Sequence, residues 1–483
     1  MKTASAARWM IGVWAALSVV GCSDDGAKQA EPWGLNDPRS GQDMVQDMAA
    51  PDMAVEPDMF VGPDMSAPLC AECVFGVEVG RLDAPRSAQE SGIGPFIGGD
   101  RLVWRGDVVG PDGAQRGQAI NTQRPGEAPR RVVFEPGAQI TLLGAHGDNL
   151  LYWSQREGRS RLIARFGARE VVLDELSGPI LAELGGFDGA ATHMIGPERA
   201  AMVVVRSGAD PRQTLVFAGP NGRVGRYELP PGAFTAPFVR GQDVVLGAAI
   251  EGDPSAQTIL WVREPGQVPR KVGTRPGASQ SSPVVVGQDA LWIRDGAVVR
   301  GDLMATREEV VLPGPCGPLD ADALHAVVAC GTDFMPGNLP GQATVLYMID
   351  PGQAPQLIYK THGGRHIIAP RVSGDRVAWL EYPQEQTFCS TPTEASGEVM
   401  VLAWDVAQAR IKAGPQALGP AIAAPCFCCN AYWPPFALSF AGDLLTWRYD
   451  MLPGGQERGD LGLGWARLGG LRCRDVACDT KLP

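Results

Sequence analysis

Short apolar runs, each opened by a polar turn, recur along the chain at nearly fixed spacing. The clearest six are Gly99-Asp100-Arg101-Leu102-Val103-Trp104, Gly147-Asp148-Asn149-Leu150-Leu151-Tyr152-Trp153, Gly241-Gln242-Asp243-Val244-Val245-Leu246, Gly287-Gln288-Asp289-Ala290-Leu291-Trp292, Gly374-Asp375-Arg376-Val377-Ala378-Trp379 and Gly442-Asp443-Leu444-Leu445-Thr446-Trp447. Weaker versions lie at Gly196 to Val204 and Asp320 to Val328. A second run follows in several units as Thr, two aliphatics and an aromatic: Thr214-Leu215-Val216-Phe217, Thr258-Ile259-Leu260-Trp261 and Thr344-Val345-Leu346-Tyr347. A Pro-Gly turn comes next, as in Pro125-Gly126-Glu127-Ala128-Pro129, Pro265-Gly266-Gln267-Val268-Pro269 and Pro351-Gly352-Gln353-Ala354-Pro355. Pro presets φ in such turns and Gly supplies a positive φ, so each cluster marks a chain reversal between strands. The order turn, strand, long loop, strand, tight turn, strand predicts a β-meander. No segment sustains a 3.6-residue apolar period between caps, so very little helix is expected.

One meander cannot bury both of its faces, but a ring of them can, with the aromatic marks wedged between neighbours. The eight marks, mostly 45–55 residues apart, have the period of propeller blades. The pattern resembles the β-propeller superfamily, in particular the divergent WD40-like and TolB-like propellers of bacterial envelopes, over nearly all of residues 74–483. It lacks the Gly-His and Trp-Asp signature of true WD40 repeats. The resemblance implies an all-β propeller of eight blades over residues 69–483. Seven blades stay open, because the Asp320 unit is short and the interval from Trp379 to Trp447 is long.

The N-terminus departs from this pattern. Lys2 and Arg8 precede an apolar run from Trp9 to Val20, too short for a permanent span and of signal-peptide length. Val19-Val20-Gly21-Cys22 resembles a bacterial lipobox. That resemblance implies that residues 1–22 hold a lipoprotein signal cleaved before Cys22, and that acylated Cys22 anchors the chain; several acyl chains together hold a membrane firmly. Ser23 in place of Asp implies sorting to the outer membrane. Residues 23–68 carry ten acidic residues against Lys28 and Arg39, and Asp-Met recurs five times between 43 and 65. Proline and like charge keep such a segment unfolded and extended, with a reach of about 40 Å. It reads as a disordered acidic tether.

Charge and cysteine narrow the picture further. The net charge is −12, of which −8 lies on the tether, and this argues against a nucleic-acid partner. Hydrophobic residues make up 45% of the chain, enough for a large core. Beyond Cys22 there remain ten Cys, an even number that in a secreted chain reads as disulfides. Cys316 and Cys330 bracket one meander turn and are expected to pair. Cys70 and Cys73 open the folded region and Cys473 and Cys478 close it, so either two local or two ring-closing bridges are open. Cys389 is expected to pair into the cluster Cys426, Cys428 and Cys429.

Candidate chemistry is sparse. The chain holds five His, and His362-Gly363-Gly364-Arg365-His366 reads as a polar loop because of its two Gly. There is no nucleophile elbow, Walker loop or dinucleotide fingerprint. The turn aspartates repeat in unit after unit, which suits turn stabilisation better than catalysis. No metal or cofactor is expected. Function is expected in the least regular loops, Asp333 to Gly341, Pro383 to Ser396 and Gly414 to Pro435. The last carries Phe427, Tyr432 and Trp433, with Phe436 just beyond it: aromatic anchors suited to binding a protein or envelope polymer, unless they fill a gap between blades. The alternative is a propeller enzyme, a lyase or glycosidase with carboxylates in the central funnel. A quinoprotein-like dehydrogenase, suggested by adjacent Cys428 and Cys429, lacks the docking repeat of that family.

Overall fold

The computed structural model describes residues 73–82, 96–177, 194–206, 212–277, 280–305, 307–331, 343–362, 364–383, 397–421, 438–450 and 461–473. These residues form antiparallel strands in eight sheets and no helix. Seven sheets follow one another along the chain, at residues 96–136, 139–177, 200–229, 238–277, 280–312, 316–360 and 365–421. The eighth takes three strands from residues 439–473 and its outermost strand, Cys73–Leu82, from the start of the folded region. Hydrophobic clusters join each blade to the next, and Ile97, Leu102 and Trp104 of blade 1 pack with Leu444 and Trp465 of blade 8 to close the ring. The fold is an eight-bladed β-propeller.

Every aromatic mark at the end of its run is buried: Trp104, Trp153, Trp292, Trp379 and Trp447. Three aromatic rings lie flat over a glycine directly across the ladder. Gly225 faces Phe217, Gly464 faces Trp447 and Gly80 faces Trp465. A β-carbon at Gly225 would stand 2.3 Å from the Phe217 ring, and one at Gly80 2.2 Å from the Trp465 ring. Glycine is required at these strand positions for close approach.

Each unit holds one strand that the sequence pattern does not reveal. It is the innermost strand, ahead of the turn, and it can be as short as Phe96–Gly98. In blade 3 it shrinks to a single bridge between Ile195 and Ala200. In blades 2, 5, 6 and 7 it breaks register, between Leu142 and Gly144, Ser281 and Val284, Cys316 and Leu319, and Ile368 and Arg371. Ser282 and Ala369 sit inside two of these breaks with left-handed φ of 49° and 48°. Such bulges bend the strand and interrupt the two-residue alternation, which is why no alternating pattern marks it.

The expected loop at His362–His366 is corrected by the structure. His366 is a strand residue of Arg365–Ser373, paired with Tyr382.

Arginine holds the blades together. Of the chain's 42 basic residues 36 are Arg, and many reach across a blade boundary to backbone carbonyls. Arg226 donates to Leu173, Arg199 to Arg263, Arg240 to both Val285 and Ala323, Arg300 to Asp350 and Gln353, and Arg376 to Leu468. A planar fork with five donors can satisfy two carbonyls at once, which an ammonium cannot do with fixed geometry.

Blade 6 carries a titratable contact on the same side. His325 Nδ1 lies 2.5 Å from Asp350 Oδ1, and Asp322 accepts the backbone N–H groups of Leu324 and His325. The hydrogen bond to Asp350 raises the His325 pKa above its ordinary value, against the opposing effect of burial. A folded-state pKa above the unfolded one means that the stabilisation is complete below about pH 6.5 and is lost as pH rises through the folded value. Thermal melts are therefore expected to fall as pH rises from about 6.5, and His325→Gln is expected to remove that part of the slope. An unchanged slope in the variant would exclude the contact as its source.

Candidate functional site

Strand direction gives the propeller two unlike ends. At one end the Gly-Asp turns and the Pro-Gly turns join strands through two to seven residues. Hydrogen bonds link neighbouring turns there: Asn149 Nδ2 to the Gly196 carbonyl, the Gly374 N–H to Asp322, and the Gly442 N–H to Ser373. From the other end the strands lead into and out of every connection of ten residues or more, including 332–342, 384–396, 422–438 and 451–460. Strand Cys73–Leu82 runs antiparallel to Leu461–Cys473, so it begins at the turn end.

A cleft of about 300 Å³ opens at the turn end between blades 1 and 2. Arg101, Thr122, Arg130, Asp148 and Arg165 supply its polar lining, with Val103, Val132 and Leu150 beneath. Strand pairing sets the positions, since Arg130 stands across from Thr122 and Arg165 across from Leu150. Arg101 is 3.6 Å from Asp100, which also takes Arg124 at 2.6 Å. Asp100 raises the Arg124 pKa further above its ordinary value.

Three turn aspartates of other blades are paired within their own blade. Asp243 accepts the Trp261 indole N–H at 2.9 Å, Asp289 lies 3.8 Å from Arg300, and Asp375 lies 2.9 Å from Lys412. These contacts tie each turn to a neighbouring strand of its blade. In blade 2 the turn aspartate Asp148 has no such partner; Arg165, the counterpart of Arg300, donates to the Val132 carbonyl of blade 1 at 2.6 Å and to its own Gly167 carbonyl at 2.8 Å. Among the described residues, no carboxylate lies within ion-pair distance of Arg130 or Arg165, and no cation lies within that distance of Asp148.

The buried carboxylates elsewhere serve blade packing. Glu381 takes the Tyr359 hydroxyl, the Trp379 indole N–H and Arg365, and burial with that neighbouring charge pushes the Tyr359 pKa up. Asp174 of blade 2 receives Arg206 and Arg226 of blade 3. Among the described residues no group of three or more His, Cys, Asp or Glu is gathered in metal-ligating geometry.

Of the cysteines, Cys316 and Cys330 form the expected disulfide, between the innermost strand of blade 6 and its neighbour. Cys73 is also disulfide-bonded, and the residue opposite it in the ladder is Cys473. Cys22, Cys70, Cys389, Cys426, Cys428, Cys429 and Cys478 lie outside the described residues, as do Phe427, Tyr432, Trp433 and Phe436. The cleft itself was not legible in the repeat, where Asp148 is one of six equivalent aspartates. What sets it apart is that Asp148 has no cation within ion-pair distance among the described residues.

No family model and no curated protein matches the chain. Among solved structures it is similar to the β-propeller domain of the Trilobed protease from Pyrococcus furiosus, at 12% identity over 64% of this chain and 92% of that one, with a TM-score of 0.36. It is also similar to puromycin hydrolase, at 15% identity over 71% and 57%, TM-score 0.38. A third is the acylaminoacyl peptidase of Pyrococcus horikoshii, at 10% identity over 78% and 51%, TM-score 0.40. The chain spans little more than half the length of these last two. The propeller assignment rests on the strand order described above.

Proposed function

We propose that this chain is a lipid-anchored envelope protein whose propeller is a non-catalytic binding scaffold for a protein or an envelope polymer. The observation that carries the reading is the inequality of the two ends. Eight blades stapled by arginines make a stiff support, and every long connection leaves it from one end. Binding residues are commonly found on loops held by such a scaffold. The connections of blades 6 to 8 include the segment bearing Phe427, Tyr432, Trp433 and Phe436. The first strand begins at the opposite end, so a chain tethered through Cys22 would join the propeller away from those connections. The lipobox-like Val19-Val20-Gly21-Cys22 supports the anchor, and the outer membrane is the proposed destination.

Two measurements test this. The protein is expected to pellet with membranes, and Cys22→Ala to release it into the soluble fraction; a variant that still pellets would remove the lipid anchor. Pull-down from envelope extract is expected to lose its principal partner in the Tyr432→Ala, Trp433→Ala variant while the melting temperature holds. An unchanged set of partners at unchanged stability would exclude this aromatic segment as the binding surface.

A further inference from the structure

Opposite charges line the cleft between blades 1 and 2 without pairing with one another. Arg130 is exposed with no ion pair among the described residues, and Arg165 is fixed in place by two carbonyls, with Glu170 across the ladder beyond ion-pair distance. A guanidinium held by neutral acceptors stays available to an incoming anion and loses little conformational entropy on binding it. Asp148 lines the same space, more than 4 Å from either guanidinium, and accepts hydrogen bonds only. Thr122 is buried in the wall, and Val103, Val132 and Leu150 give an apolar floor. At about 300 Å³ the space is at the low end of ligand pockets, enough for one small molecule and too little for a polymer chain to thread.

We propose that this cleft binds a small polar ligand carrying one oxyanion group, a carboxylate or a phosphate, which Arg130 and Arg165 take while Asp148 accepts a hydroxyl or amine from the ligand's other side. Arg101, already beside Asp100, contributes field and not a dedicated bond. The site lies at the end of the propeller opposite the long connections. It does not depend on the proposed envelope role.

The test is titration calorimetry at low ionic strength on the purified chain, with glucuronate, glucose 6-phosphate and glucose as probes. At least one of the two acids is expected to bind at least tenfold more tightly than glucose. Preference for glucuronate would assign a carboxylate ligand, and preference for glucose 6-phosphate a phosphate. Arg130→Ala is expected to weaken that binding about tenfold, the loss of one charge-assisted hydrogen bond, with an unchanged melting temperature because Arg130 supports nothing else. Arg165→Lys, which keeps the charge but not the fork, is expected to weaken it as well, and Asp148→Asn to narrow the gap between the acid and glucose. Failure of both acids to bind at millimolar concentration would overturn the proposal. So would glucose binding as tightly as either acid, or affinity unmoved by Arg130→Ala.

Discussion

Replacing Arg371 with Ala is expected to destabilise the propeller by about 3–5 kcal/mol, the largest single-residue effect in the described structure. Arg371 is 3% exposed and lies on the innermost strand of blade 7. Its Nε donates to the Leu438 carbonyl at the entrance of blade 8, and its guanidinium lies 4.0 Å from Asp320 on the innermost strand of blade 6. Asp320 in turn accepts the Val372 N–H at 2.9 Å. One side chain thus joins three blades. Burial pulls the Arg371 pKa below its ordinary value while Asp320 opposes that shift. Alanine would leave the Asp320 carboxylate buried without its cation, and the Leu438 carbonyl without its donor. In a propeller of this size the loss corresponds to a melting temperature lower by about 5 °C. The Arg371→Gln, Asp320→Asn double variant is expected to cost less than the two single changes added together, since the residues share one interaction. Additive losses would mean that the pair is not coupled.

Loss of the Cys73 disulfide is expected to have the next largest effect, at about 2–5 kcal/mol. The strand Cys73–Leu82 is separated from its partner Leu461–Cys473 by nearly the whole fold, and it is the only element of blade 8 drawn from the beginning of the folded region. A covalent link there would close a loop of roughly 400 residues, which in the chain-entropy account gives a larger effect than the 14-residue separation of Cys316 and Cys330. Non-reducing peptide mapping is expected to recover the Cys73 peptide joined to the one carrying Cys473. In Cys73→Ser, amide exchange is expected to quicken first along residues 74–82 and then in blade 8, while Cys316→Ser quickens exchange in blade 6. A Cys73→Ser protein whose blade 8 exchanges at the parent rate would show that hydrogen bonding alone keeps the ring shut.

The second, third and outermost strands of the blades were legible because they follow ordinary rules. Leu102, Val103 and Trp104, or Val244, Val245 and Leu246, are apolar runs buried on both faces and bounded by turn residues, which is how a strand sandwiched between blades must read. The innermost strands were not legible. Phe96–Gly98 is too short to show a period, and the breaks at Ser281–Val284 and Ile368–Arg371 disturb what alternation there is. His366 was misplaced for a related reason, since the two glycines before it read as a loop signal while the strand begins one residue earlier, at Arg365.

The charged positions divide along the same line. By itself the sequence determined the repeat, its β character, the Cys316–Cys330 pair and the burial of the tryptophan marks, because each depends on residues within one unit whose spacing is set by local geometry. The tertiary structure alone decided that the blades number eight, that Cys73–Leu82 completes the last of them, that Arg371 meets Asp320 and Leu438, and that Arg165 turns from Asp148 into a cleft. Those contacts join residues about 30 to 400 positions apart. An arginine in one repeat looks like an arginine in any other until the neighbouring blade supplies the carbonyl or carboxylate that orients it.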